Sequence, residues 1–253
     1  MRERRLFGHG PIVCAALGAA MTRGVFVEKR RGVLSLRVDG TWASSYRPGS
    51  PLTGSVWDAL VAPLAWLPPA RRRSVLVLGL GGGSAARLVR AIAPECRVVG
   101  VESSAEVIEA ARRWFELDAL GVEVVHDCAR HFLRRCRARF DLVIEDVFVG
   151  EGRAVHKPDW LPAPGLAAAA RRVRGGGLLV SNALDEARDV ARTMRALFPA
   201  SVRIGIEGFD NAVVVGGPGS LSALGRRAAA AAHPRLRETL PQLSFRTSAP
   251  PTC

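Results

Sequence analysis

The stretch Ser74–Ser84, S-V-L-V-L-G-L-G-G-G-S, decides the fold. Val75–Leu78 is an unbroken aliphatic run, as a strand buried on both faces requires. Gly79, Gly81, Gly82 and Gly83 follow at once, and Ser84 then opens a helical pattern with Leu88, Val89 and Ile92 on one side. Strand, glycine loop and helix together bring backbone close to a nucleotide at a helix N-terminus. The glycines admit positive φ and remove the Cβ atoms that would hold a ligand away. Such a loop does not choose its ligand; the neighbouring strand ends do.

Outward from Ser74 the pattern alternates between buried strands and amphipathic helices. Strands are expected at 74–80, 97–102, 122–126, 140–146, 177–182, 202–207 and 211–216. Helices are expected at 84–93, 105–116, 129–137, 163–174, 185–197 and 221–232. Strands separated by helices predict an α/β fold with a mainly parallel sheet and right-handed crossovers. The last two strands, joined through Gly208-Phe209-Asp210, form a hairpin that leaves one antiparallel strand near the C-terminus. That ending is of methyltransferase type and differs from a dehydrogenase sheet, which continues with parallel units.

Upstream, Val25–Trp42 reads as a β-hairpin: Leu34, Leu36 and Val38 alternate, and Asp39-Gly40 is a two-residue turn. Ser50-Pro51 then starts a helix carrying Val56, Trp57, Leu60, Val61 and Leu64. The expected organisation is a disordered extension over 1–21, a small hairpin-plus-helix unit over 22–70, a nucleoside-binding domain over 71–240 and a disordered tail over 241–253.

The 48% hydrophobic and 23% charged composition is that of a soluble globular protein, and a cytoplasmic location is expected. No apolar run is long enough to span a bilayer, so no membrane partner is expected. The net charge of +13 comes from 36 basic residues of which only Lys29 and Lys157 are lysines. That arginine and alanine bias reads as coding composition, and without interleaved aromatics it does not make nucleic acid a partner. The five cysteines contain no C-x-x-C pair, which argues against a disulfide framework. His126, Asp127, Cys128 and His131 lack zinc spacing, so no metal is expected.

Four strand ends form one candidate site, because ligands of open α/β sheets bind outside the carboxyl ends of the strands. They are the glycine loop, Glu102 after R-V-V-G-V, Asp127 after V-E-V-V-H, and Asp146 after F-D-L-V-I-E. An acid about twenty residues beyond a glycine loop accepts hydrogen bonds from ribose hydroxyls. Strand alternation turns Asp146 toward the site and Glu145 away from it. The long loop 147–161 follows, a length at which loops are commonly functional lids.

Three segments carry a family resemblance: V-L-V-L-G-L-G-G-G-S, V-G-V-E-S-S-A-E-V-I-E-A-A-R-R-W-F and F-D-L-V-I-E-D-V-F-V-G. They resemble a divergent branch of the spermidine synthase-like (polyamine synthase) family, built on the class I S-adenosylmethionine-dependent methyltransferase fold. The resemblance implies binding of S-adenosylmethionine or its decarboxylated form by Gly79, Gly81, Gly82, Gly83, Glu102, Ser103, Asp127, Cys128 and Ala129. It implies Asp146 as the catalytic acid, and Asp58, His156, Asp159 and Trp160 on the acceptor side. It also implies a small-molecule acceptor such as an amine, and a homodimer.

The chain departs from the family where the amine is bound. Gly82 stands in place of the loop aspartate, Val149 in place of a second strand-end aspartate, and Ala62 in place of a histidine. The expected function is therefore transfer of an aminopropyl or methyl group to an unidentified acceptor. A methyltransferase with a non-polyamine substrate is one competing reading. A non-catalytic nucleoside- or RNA-binding protein is another, and predicts steeply salt-dependent binding without turnover.

Overall fold

The computed structural model describes residues 13–14, 24–219 and 223–247. In chain order the strands are β1 (Val13–Cys14), β2 (Val25–Arg30), β3 (Val33–Val38), β4 (Thr41–Tyr46), β5 (Ser74–Leu78), β6 (Arg97–Glu102), β7 (Glu123–His126), β8 (Phe140–Glu145), β9 (Val173–Ala183), β10 (Ala200–Ile206), β11 (Ala212–Gly217) and β12 (Leu243–Thr247). The α-helices are α1 (Val56–Val61), α2 (Ser84–Ile92), α3 (Ala105–Trp114), α4 (Ala129–Arg135), α5 (Gly165–Ala170), α6 (Ala187–Leu197) and α7 (Ala223–Ala232).

β5 through β12 form one eight-stranded sheet in the order β12-β10-β11-β9-β8-β5-β6-β7. β5 is central, parallel to β6 and β8, and buried at every residue, as its unbroken apolar run requires. Its alternate side chains serve two layers. Val75 and Val77 join the core shared with α1, α2 and α7, whereas Leu76 and Leu78 join the core shared with α4, α5 and α6.

β11 runs antiparallel to both β9 and β10, giving the methyltransferase-type ending. β12 adds a second strand against the general direction by pairing antiparallel with β10. Residues 243–247 are therefore an ordered sheet edge, which corrects the expectation of a disordered tail from 241. The signal is short: in L-S-F-R-T only Leu243 is buried, and Phe245 packs on Trp66 with ring centroids 6.2 Å apart. Of the expected extension over 1–21, only Val13 and Cys14 are described, paired parallel with β2; the rest lies outside the described residues, as does 248–253. The helix expected over 163–174 ends at Ala170, because Val173 already pairs with Phe140 at the start of β9.

The hairpin unit is as its turn dictates: Asp39 and Gly40 both take positive φ, at 48° and 77°. Its sheet packs Val25, Val27, Leu36 and Tyr46 on Val107 and Ala110 of α3 and on Phe115. β4 then lies against the glycine loop. The Gly82 amide donates to Ser44 Oγ (2.6 Å), the Ser45 amide donates to Ser84 Oγ (2.9 Å), and the Ser84 hydroxyl donates to the Ser45 carbonyl (2.8 Å).

This approach needs glycine at position 81, whose φ is +54°. A Cβ there would sit 2.8 Å from both the Ala43 carbonyl oxygen and Ser44 Oγ. Gly81→Ala is expected to cost about 1–3 kcal/mol through overpacking and backbone strain. The check is a fall in the urea midpoint at unchanged m-value; an unchanged midpoint would mean that the hairpin yields freely.

Candidate functional site

A cavity of about 480 Å³ opens where the sheet's carboxyl ends meet the hairpin unit. Its wall includes Gly79, Gly81, Glu102, Ser103, Asp127, Cys128, Ala129 and Asp146, all anticipated as site residues. Gly79 takes a φ of +83°, and a Cβ there would strike the Asp146 carbonyl, so glycine lets the β5 and β8 ends close together. The Gly79 and Leu80 amides both donate to the Val101 carbonyl at 3.0 Å.

Glu102, at the end of β6, fixes the loop. Its carboxylate accepts from the Gly81 amide (2.9 Å) and from the Ser103 and Ser104 amides (2.8 and 3.1 Å). Ser104 in turn caps α3 by accepting from the Val107 amide. Asp127 accepts from the Cys128 amide at 2.8 Å, and its second oxygen meets the exposed Arg135.

Asp146 is half-buried and held from two sides. Trp57 Nε1 donates to one oxygen (3.1 Å) and Asn182 Nδ2 to the other (2.7 Å), while Asn211 Nδ2 donates to Asn182 Oδ1 (2.9 Å). Burial pushes the Asp146 carboxyl up to about 6. The hydrogen bond from Asn182 and the charge of Lys157 pull it down, and the charge of Glu145 pushes it further up.

Glu145 points the other way, as alternation requires, into a buried pair with Lys157; both side chains are 1% exposed. Lys157 Nζ donates to Glu145 (2.7 Å) and to the Val147 carbonyl (3.0 Å), and lies 3.9 Å from the centre of the Phe148 ring. Ser181 Oγ and the Val147 amide also donate to Glu145. The first residues of the loop after β8 are thus fastened from beneath. The loop's tip is fastened from above, where the Gly152 amide donates to the Asp39 carbonyl in the hairpin turn (3.0 Å).

Most of the other anticipated residues lie apart from the wall. Gly82 and Gly83 are buried, Gly82 facing Ser44 and Phe115, and Gly83 facing Leu117. Asp58 is fully buried, and its carboxylate accepts from the Thr53 and Gly54 amides at 2.9 Å and from the Thr53 hydroxyl. His156 is exposed and its Nδ1 lies 2.8 Å from the Ala154 carbonyl, while Asp159 is exposed beside it in the loop. Trp160 is buried and does line the cavity.

Residues 75–177 match the family model described as a methyltransferase domain. A polyamine aminopropyltransferase of Neisseria meningitidis is 32% identical over 94 residues, which is 36% of each chain. An eEF1A lysine and N-terminal methyltransferase homolog of Drosophila pseudoobscura pseudoobscura is 38% identical over 80 residues, 30% of this chain and 12% of that protein. The chain thus spans about a third or less of the length of these curated relatives. A probable spermidine synthase of Corynebacterium glutamicum superposes with a TM-score of 0.72 at 20% identity, over 92% of this chain and 91% of that one. The fold is the class I methyltransferase fold that spermidine synthases share, and the motif resemblance is borne out.

Several wall residues escaped the sequence reading. Trp42, Trp57, Phe209 and Asn211 line the cavity, although Trp42 and Trp57 read as hairpin and helix core. Lys157 carried a signal, being one of two lysines among 36 basic residues. Among the described residues no group of acids, histidines and cysteines could hold a metal ion.

Two outcomes follow. Lys157→Met leaves Glu145 buried without its partner and is expected to cost about 3–5 kcal/mol, most of it recovered by adding Glu145→Gln. Urea unfolding of the single and double variants checks this, and equal stability of wild type and single variant would refute it. Separately, the raised Asp146 carboxyl means that the folded chain holds this proton more tightly than the unfolded chain. Its stabilising effect is full below about pH 4 and is lost as the pH rises through about 6. Because Trp57 bonds to that carboxylate, tryptophan fluorescence should step near pH 6, and the step should vanish in Asp146→Asn.

Proposed function

We propose that the chain is a transferase that binds an adenosyl-sulfonium nucleoside and moves an alkyl group from it to a small-molecule acceptor. The observation that carries this reading is the charge of the wall. In a chain of net charge +13, the described cavity wall holds Glu102, Asp127 and Asp146 and no arginine, lysine or histidine. Such a wall repels the pyrophosphate of a dinucleotide and suits a cationic ligand. The methyltransferase-domain match over 75–177 supports the same ligand class.

When bound, the sulfonium supplies a carbon activated for displacement. The protein's part is to hold, align and deprotonate. In this reading Gly79 and Gly81 leave room for the nucleoside, Glu102 accepts from the ribose hydroxyls, and Asp127 with Cys128 and Ala129 borders the adenine. Asp146, oriented by Trp57 and Asn182, takes the acceptor's proton as the new bond forms and the C–S electrons return to sulfur. Transfer is then expected to fall below pH 6, roughly tenfold per unit, as Asp146 becomes protonated.

A specific observation favours the decarboxylated donor. The loop amides that could hold a methionine carboxylate are engaged within the protein: Gly79 and Leu80 on Val101, Gly81 on Glu102, Gly82 on Ser44 and Gly83 on Leu80. The described wall offers no cation in their place. The methyltransferase relative supports the carboxylated donor instead.

Calorimetry with methylthioadenosine, S-adenosylmethionine and its decarboxylated form separates these. Methylthioadenosine should bind, the decarboxylated donor should bind more tightly than the carboxylated one, and binding of none would overturn the transferase reading. Glu102→Ala should weaken methylthioadenosine by about 1–3 kcal/mol, the scale of charge-assisted hydrogen bonds.

A further inference from the structure

Sheet order divides the cavity wall into two unlike halves. Glu102 and Asp127 lie at the ends of β6 and β7, on one side of the central β5. On the other side lie β8, β9 and β11, and there Asp146 is the one charged residue of the described wall. That second half is where an acceptor would approach, because it contains the group placed to remove a proton.

Its surface is aromatic. Trp42 from β4 meets Trp57 from α1 edge to face, with centroids 5.0 Å apart at 83°. Trp42 also stacks with Phe209 from the β10–β11 turn, 6.0 Å apart at 21°. Three separate elements thus contribute rings to one aromatic cluster, with Trp57 nearly perpendicular to Trp42 and Phe209 stacked over it, and Trp42 and Phe209 are only half-buried. At the rim, Val149 is 42% exposed and is the one large exposed hydrophobic among the described residues. An apolar surface therefore runs from the carboxylate out to solvent.

The polar groups do the opposite of spreading. Asn211 holds Asn182, Asn182 and Trp57 hold Asp146, and all of them converge on one carboxylate. A ligand with several ammonium groups would leave all but one facing rings and aliphatic side chains, where an unpaired charge is costly to bury. An aromatic or aliphatic ligand would bury apolar surface against this cluster, and an aromatic one would add edge or face contacts with the half-exposed rings. Pockets of this size bind through such an apolar lining and a few convergent polar groups.

We propose that the acceptor is an aromatic or apolar molecule bearing a single nucleophilic hydroxyl or amine, and is not a polyamine. The proposal rests on the transferase reading above. The acceptor's oxygen or nitrogen gains the alkyl group from the adenosyl sulfonium, its proton passes to Asp146, and the C–S bonding pair leaves with sulfur as a neutral thioether.

The test uses the full chain saturated with methylthioadenosine and compares 2-naphthol, 5-hydroxyindole, putrescine and spermidine by calorimetry. At least one hydroxyarene is expected to bind tenfold or more tightly than either polyamine. Phe209→Ala should weaken that hydroxyarene at least fivefold, with melting curves confirming a folded variant; Phe209→Leu serves if the alanine variant does not fold. Polyamines binding as tightly as the hydroxyarenes would overturn the proposal. So would arene binding that ignores position 209, or absence of arene binding while methylthioadenosine binds. Failure of methylthioadenosine itself to bind would instead overturn the transferase reading, and the acceptor class with it.

Discussion

The structure depends on the hydroxyl of Ser84, held by Ser45 as both donor and acceptor, with Ser44 taking the Gly82 amide beside it. These bonds lie in a buried seam between β4 and the start of α2, where an unmet donor or acceptor would cost about 1–3 kcal/mol. They fix the hairpin sheet at one distance from the glycine loop. That distance sets the height of the cavity, because Trp42 and Ala43, just before Ser44, form part of its roof. Tyr46, just after, donates to Glu116 (2.6 Å) and carries the Arg87 guanidinium 3.8 Å from its ring centre, extending the seam along α2 and to the turn that follows α3.

The segment F-D-L-V-I-E-D shows how burial assigns different tasks to one kind of side chain. Asp141 enters the sheet at its amino end and accepts from the Ser74 amide and hydroxyl (3.0 and 2.9 Å), so it ties β8 to β5. Glu145, one face over, neutralises Lys157 inside the protein. Asp146 alone reaches the cavity, with its orientation fixed by neutral donors and no cation in contact. A paired carboxylate would be a poor proton acceptor; one held by an indole and an amide keeps its basicity.

Much of this was legible in the sequence. The parallel order followed from runs such as Val75–Leu78, and the placement of the acid pair Glu145 and Asp146 followed from period-two alternation. What was hidden is non-local. Asp58 reads like an acceptor-side acid, yet it closes a turn on Thr53 and Gly54 five and four residues away. Trp42, Trp57 and Phe209 are far apart in sequence and converge only because two sheets meet. β12 escaped because five residues of mixed polarity carry too little periodicity to stand out from the chain around them.

That last strand has a consequence for the protein in solution. Without it, β10 would present the outward-pointing amides and carbonyls of a seven-residue strand at the sheet margin, a template for pairing with another chain. β12 covers five of those positions, and its own outer margin carries Ser244, Arg246 and Thr247. At the opposite margin β7 is only four residues long. Among the described strands the sheet thus ends in a five-residue strand of mixed polarity on one side and a four-residue strand on the other, both of which discourage lateral pairing.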